Sequence, residues 1–275
     1  MLYVVQNNLY NEYGYNQLME TLERFSLPYV IVKPVPFAMH LLPADFDTDS
    51  YTGDITKVPE PVIDTSGHVI VLGATTLTKI ATTRNWVPGS FINENFDYSK
   101  WRDAYGDNLL NYDAKVCAFK DVDDSFPSFF IRPCEDTKSF SGTVMTYEDF
   151  DSWRKDLSTA DTTHSPLTMD TMVSYAPPKD IMREYRFFVV DGKVITGSQY
   201  KAGSRVYSDT NVDQDIIDYA QSMVNMWQPA RAFVIDIALI PGNQKKVIEI
   251  NNINSAGFYA CDVSKIIQAF EAMTF

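Results

Sequence analysis

Histidine and cysteine are scarce in this chain, at three each among 275 residues. Cys117, Cys134 and Cys261 are far apart and odd in number, which argues against a disulfide framework and for reduced thiols in a cytoplasmic protein. No cysteine pair has zinc-ligand spacing, and the few histidines leave little to complete such a site. His164 stands alone in a polar stretch and reads as a surface histidine. Positive charge is short too: 23 Lys and Arg against 36 Asp and Glu leave a formal net charge of −13. That surface repels nucleic-acid phosphates in general, although a local basic cleft can still bind an anion. No apolar run approaches the ~18 residues of a membrane span. The start, MLYVVQNNLY, has neither the basic opening nor the long apolar core of a signal peptide. No internal repeat or low-complexity tract occurs.

What the chain has is apolar substance, 45% hydrophobic and 13% aromatic, enough for a sizeable core in one compound fold. Residues 1–108 alternate strand and helix signals, an α/β pattern. LYVV, PYVIVK and HVIVLG read as strands, and GYNQLMETLERF and ATTLTKIATTR as helices. The Pro- and Asp-rich stretch 34–66 reads as loop. The strand–Gly73–helix step could aim backbone N–H groups at an anion, though an ordinary turn explains one glycine better. Residues 109–275 change to antiparallel strands with intervening helices, so the whole is classed α/β (α+β). SFFIRP is a strand ending at Arg132-Pro133, and Thr146 opens a helix with Phe150, Trp153 and Leu157 on its apolar stripe. A later helix over 213–228 turns Ile216, Ala220, Met223 and Val224 inward, and Pro229 ends it.

Two hairpins carry the chemistry. In EYRFFVVDGKVITGSQYK, Asp191-Gly192 is a two-residue turn that pairs Val190 with Lys193. An unbroken register then sets Arg186 against Gly197 and Glu184 against Gln199, with Glu184, Arg186, Gln199 and Lys201 on one face. In RAFVIDIALIPGNQKKVIEINN, a four-residue turn pairs Ile240 with Lys245. Asp236 then comes opposite Glu249 and Val234 opposite Asn251, with Ala238 and Val247 on the same face. Directly opposed carboxylates repel, and burial among apolar neighbours makes that worse. A hard divalent cation removes the conflict, and Mg²⁺ favours a few carboxylate or carbonyl oxygens completed by phosphates and water. Asp236, Glu249 and Asn251 are therefore the expected metal ligands.

From about residue 110 to 260, this series of segments resembles the ATP-grasp superfamily, in particular the RimK-related amino-acid and peptide ligases and their small phage and bacterial branch. The D-x12-E-x-N pattern on two strands and the E-x-R hairpin beside it carry the resemblance. It implies an ATP-grasp fold in which the nucleotide lies between two antiparallel sheets. Residues 1–108 would be the preceding α/β lobe, 109–175 the phosphate-loop lobe and 176–275 the metal-binding lobe. ATP and Mg²⁺ are the implied cofactors, with Asp236, Glu249 and Asn251 bridging ions to the phosphates. Glu184 would take the ribose hydroxyls, and Ser174, Tyr175 and Ala176 would offer backbone groups to adenine. Arg132 stands where most members have a phosphate-binding lysine, and its planar fork can grip two oxygens. Lys115, or Lys120 in its place, would be the other nucleotide-contacting lysine. Lys138 and Gly142 belong to the phosphate-covering loop, and Arg186 and Lys201 would lie near the γ-phosphate and the acyl intermediate. Asn254, Ser255 and Tyr259, where NINSAGFY departs from the N-x-S-P-G tail of glutamate ligases, would shape the acceptor site.

The activity so implied is ADP-forming ligation of a carboxylate to an amine through an acyl phosphate. Arg186, Arg132 and Lys201 would be the catalytic cations. A nucleotide-binding module without catalysis, and a kinase on the same fold, are the alternatives. Partners would be ATP and small-molecule or peptide substrates, with nucleic acid disfavoured and no membrane.

Overall fold

The computed structural model of the chain describes residues 1–7, 12–36, 38–136, 139–162 and 165–275. Lys138 and His164 lie outside the described residues. Three sheets organise the rest. The first comprises β1 (Leu2–Gln6), β2 (Tyr29–Val35), β3 (His40–Pro43), β4 (Val69–Leu72) and β5 (Pro88–Gly89), in the order β3-β2-β1-β4-β5. Helices α1 (Glu12–Arg24) and α2 (Thr75–Thr83) belong to this lobe. β1 lies parallel to β2 and to β4, and all four residues of β4 are buried, as expected of a strand covered on both faces. β3 falls inside the stretch expected to be loop. It is four residues long and pairs antiparallel with β2 across Pro34 and Leu41, too short for a periodic signal and set in a Pro-rich context.

Helix α3 (Tyr98–Tyr105) follows, capped by the Asp97 side chain. The second sheet holds β6 (Lys115–Ala118), β7 (Ser128–Pro133), β8 (Thr143–Thr146) and β9 (Met172–Ala176), all antiparallel in the order β6-β9-β7-β8. Between β8 and β9, α4 (Tyr147–Thr159) starts where Thr146 accepts from the Asp149 N–H. Phe150, Trp153 and Leu157 of α4 pack on Phe119, Phe129 and Tyr175, the core of this lobe.

The third sheet is β10 (Arg183–Val190), β11 (Lys193–Ala202), β12 (Arg205–Asp209), β13 (Ala232–Ile240) and β14 (Gln244–Asn251), in the order β12-β11-β10-β13-β14. Helices α5 (Gln214–Met226) and α6 (Val263–Glu271) complete it. One face sends Tyr185, Phe187, Phe233, Ile235 and Ile237 against α3 and α5. The other face sends Phe188, Val190 and Val234 against α6 and the first lobe's Tyr3, Val5 and Ile70. One continuous core thus runs from residue 3 to residue 273. Farther along that second face the alternation continues through Arg186, Glu184 and Asp236, where the sheet has passed beyond its apolar cover. The polar end of a half-covered sheet is what becomes the site.

Neither hairpin keeps the simple register. In β10–β11, Val190 does face Lys193, but irregularities follow Val189 and Tyr185. Ile195 and Tyr200 are the extra residues of two bulges, so Arg186 faces Ser198, Tyr185 faces Gln199 and Glu184 faces Lys201. Gln199 therefore leaves the face expected for it, while Lys201 returns to Glu184. Between the two bulges Gly197 sits opposite Phe187, where a Cβ would lie 2.2 Å from the ring, so a glycine suits that close approach. In β13–β14, Ile240 faces Gln244 rather than Lys245, and an extra residue at Ile248 then restores Asp236 to Glu249 and Val234 to Asn251. The two departures cancel at the carboxylates. Val247 does not share their face; it faces Ile237 and packs in the opposite core.

Candidate active site

A cleft of about 720 Å³ separates the second and third sheets, lined by Phe130, Gly142, Lys179, Glu184, Tyr200, Lys201 and Glu249 among others. It adjoins a narrower recess of about 290 Å³ where Arg132, Arg186, Glu249, Asn251, Ser255 and Gly142 meet. β7 supplies Phe130 and Arg132 at strand alternation, so both point to the cleft. Gly142 closes on that strand: a Cβ there would lie 2.7 Å from the Phe130 ring.

At the deep end, Asp236 is fully buried and Arg186 nearly so. Arg186 Nε donates to Asp236 Oδ1 at 2.9 Å and Nη2 to Oδ2 at 2.7 Å, a bidentate fork. Arg132 Nη1 donates to Glu249 Oε2 at 2.7 Å, with its guanidinium 4.7 Å above the Trp101 ring. The Asn251 amide bridges the two acids, donating to Glu249 Oε1 at 2.8 Å and to Asp236 Oδ2 at 3.4 Å. Burial pushes the Asp236 carboxyl up to about 6 against the pull of Arg186, with the Glu249 charge adding to the rise. Burial acts the same way on Glu249, but Arg132, Asn251 and Arg186 together hold it below the usual value.

Aromatic rings frame the Arg186 guanidinium, with Tyr259 at 4.9 Å and Tyr200 at 5.6 Å. Those two rings stack on each other at 4.7 Å, nearly parallel. Tyr259 takes the left-handed backbone region, φ 50°. Tyr200 donates its hydroxyl to Glu184 Oε2 and Lys201 donates to Oε1, each at 2.7 Å. Burial, then the charges of Asp236 and Glu184, raise the Tyr200 hydroxyl well above its ordinary value, so it stays protonated as the donor.

Arg132, Arg186, Lys201, Glu184, Gly142, Asp236, Glu249, Asn251, Ser255 and Tyr259 thus come together around the cleft and its recess. Others do not. Lys115 pairs with Asp123 at 3.0 Å and with Ser125, away from the cleft, and Lys120 pairs with Asp170. Ser174, Tyr175 and Ala176 are buried in β9; Ser174 and Tyr175 pair with both β6 and β7, and Ala176 pairs with β7, so strand pairing engages much of their backbone. The cleft is lined instead by Lys179, Asp180 and Ile181, just beyond that strand. Asn254 is fully buried and clamps the lobes together. Its Nδ2 donates to Val71 O at 2.7 Å, its Oδ1 accepts from Phe91 N at 2.9 Å, and its carbonyl accepts the Gly73 N–H at 2.7 Å. The Gly73 amide is thereby engaged and unavailable to an anion. Asn254→Ala strands several buried partners and is expected to lower stability by about 2–4 kcal/mol, read as a shift in the urea midpoint.

Sequence reading missed Tyr200, Trp101 and Phe130. Tyr200 reaches the site only through a bulge and Trp101 only through tertiary packing; Phe130 was legible, two residues before Arg132 on one strand. Among the described residues no three His, Cys, Asp or Glu side chains cluster, since the trio contains only two carboxylates. No described helix is long and apolar enough to cross a membrane.

A nucleotide-sized cleft between two antiparallel sheets, with paired acids and arginines at its deep end, is the architecture of an ATP-grasp protein. The profile of an ATP-grasp domain, the second family of its clade, matches residues 114–269, more than half of the chain, and the chain belongs to that ATP-grasp family. The RimK-related resemblance is consistent with this. Solved structures agree in fold. D-alanyl-alanine synthetase A from Vibrio cholerae is 13% identical, covering 98% of this chain and 97% of its own, with a TM-score of 0.57. D-cycloserine synthetase DcsG is 11% identical, with 98% of each chain covered and a TM-score of 0.54. The ATP-grasp ligase PsnB, complexed with a minimal precursor, is 13% identical over 98% of each chain at 0.53. No curated protein matches the chain by sequence.

Proposed function

We propose that the protein is an ATP-dependent ligase that joins a carboxylate to an amine, forming an amide or peptide bond and releasing ADP and phosphate. The observation that carries this reading is the meeting of Asp236, Glu249 and Asn251 with Arg186 and Arg132 at the deep end of the cleft. Family membership supports nucleotide use, and the similar folds named as synthetases and ligases support bond formation.

The donor set fits Mg²⁺. Asp236 Oδ2 and Glu249 Oε1, from facing strands, already converge on the N–H donors of the single Asn251 amide. Asp236, Glu249 and Asn251 would hold the ion, which when bound neutralises phosphate charge on ATP. Glu184 receives the ribose hydroxyls and Lys201 the phosphates, with Gly142 closing over them. Arg132 and Arg186 stabilise the oxygens of the transferring phosphoryl group and of the acyl phosphate.

In the first step a carboxylate oxygen of the donor bonds to the γ-phosphorus as the bond to ADP breaks. The amine nitrogen then bonds to the carbonyl carbon as inorganic phosphate leaves, and the amine proton passes to phosphate or water. Ser255 and Tyr259 border the acceptor side. A cytoplasmic setting fits three unpaired cysteines.

The test is ADP release from ATP across paired panels of carboxylates and amines, with mass spectrometry of products. Release that requires both, together with a new amide, is the expected result. A stable phosphorylated product without an amide would make the protein a kinase, and no release with any pair would make it a binding module.

A further inference from the structure

A cavity of about 1010 Å³, roomier than the 720 Å³ cleft, lies outside it. One wall is the outer face of α2, where Thr75, Thr78, Lys79, Thr82 and Thr83 line up at helical spacing. The opposite wall is the segment before α3 and the turn after β7, with Glu94, Asp97, Glu135 and Asp136. Ile92 and Phe96 contribute apolar surface. Glu135 and Asp136 also line the recess beside Arg186 and Glu249, so the groove leads directly to the reacting end of the cleft.

Four carboxylates face one lysine along this path. Asp97 caps α3 and Asp136 accepts the Asn252 N–H, so both are partly engaged by the fold. Glu94 and Glu135 are exposed and carry no ion pair among the described residues. Thr78 is 4% exposed and lines the groove, and its buried hydroxyl has no hydrogen-bond partner. A buried, unpartnered hydroxyl is costly unless a ligand supplies the bond.

Resting on the ligase reading above, we propose that this groove is the entry and binding site of the amine substrate, and that the amine belongs to a lysine-rich peptide. An amine reaches the enzyme as an ammonium ion, and carboxylates along its approach concentrate cations at the mouth of the recess. The volume and the hydroxyl-lined wall suit an extended segment of several residues rather than a single small amine.

The test uses binding, which does not depend on turnover. Fluorescein-labelled hexalysine and hexaglutamate are titrated by anisotropy into the intact protein at moderate salt. Glu94→Gln with Glu135→Gln is compared with Glu148→Gln with Asp156→Asn, which removes the same charge from the exposed face of α4. The groove double variant is expected to weaken hexalysine binding about tenfold, and the α4 variant less than about twofold, as local rather than net charge decides. Equal losses in both variants, no loss in the groove variant, or tighter binding of hexaglutamate would overturn the proposal. Hexalysine bound at the groove with no ADP release for any carboxylate of the panel would sink the ligase reading alone.

Discussion

Arg186→Met unfolds the protein more readily than any other single change at the site, with an expected loss of about 3–5 kcal/mol at pH 7. Asp236 is fully buried, and the Arg186 fork holds both of its oxygens. Methionine fills much of the arginine's volume, so the loss comes from stranding a buried carboxylate rather than from a cavity. Arg186→Met with Asp236→Leu removes both charges and is expected to regain most of the stability while remaining inactive. That rescue separates the pair's role in the fold from its role with substrate.

The pH dependence of the single variant has a definite sign. Burial already raises Asp236 to about 6, and loss of Arg186 raises it further. The folded state then binds a proton that the unfolded state has released, so stability grows as pH falls through the folded value. Urea midpoints of Arg186→Met should therefore approach those of the wild type between pH 7 and pH 5. A midpoint deficit constant across that range would mean that the loss comes from packing.

Glu249→Gln is the complementary case, with a large effect on activity and a small one on the fold. Glutamine keeps the shape, and its carbonyl oxygen can still accept from Arg132, which now donates to Glu249 at 2.7 Å. The new amide nitrogen takes the place of Oε1, so Asn251 must turn its own oxygen toward it and give up its 3.4 Å donation to Asp236. Stability is expected to change by about 1–2 kcal/mol. The negative charge is lost, however, at the point where two acids converge, and with it, on the function proposed above, the hold on a divalent cation. ATP turnover is expected to fall by about 100-fold or more, with the apparent Mg²⁺ requirement shifted upward. Wild-type turnover in this variant would remove Glu249 from the metal set, and with it the main support for the ligase reading.

How far the site could be read in advance differs residue by residue. Asp236, Glu249 and Asn251 were legible because carboxylates and an amide interrupt otherwise apolar strands, a local conflict that needs a local remedy. Arg132 and Glu184 were expected from the family resemblance, and the hairpin alternation put Glu184 on the face of Arg186 and Lys201. Ser174 and Tyr175 fall on an inner strand: alternation reads through Ser174 to Ala176 without saying that β9 is paired on both sides there, while Lys179, Asp180 and Ile181 just beyond it line the cleft. Lys115 failed because an edge-strand lysine can turn toward an acid on its own lobe, here Asp123. Asn254 failed because an amide in a polar tail looks like a ligand group until the first lobe closes over it.

The sequence by itself determined where the longer strands and helices lie, that side chains alternate along each unbroken stretch of strand, and that Asp236 and Glu249 oppose each other in an apolar setting and need a positive partner. These are consequences of local periodicity and of the expense of a lone buried charge. The tertiary structure alone decided the bulges at Ile195, Tyr200 and Ile248, the aromatic frame around Arg186, and the burial of Asn254 between lobes. A bulge changes which residues of two strands face each other, and that pairing is set only once the chain has folded.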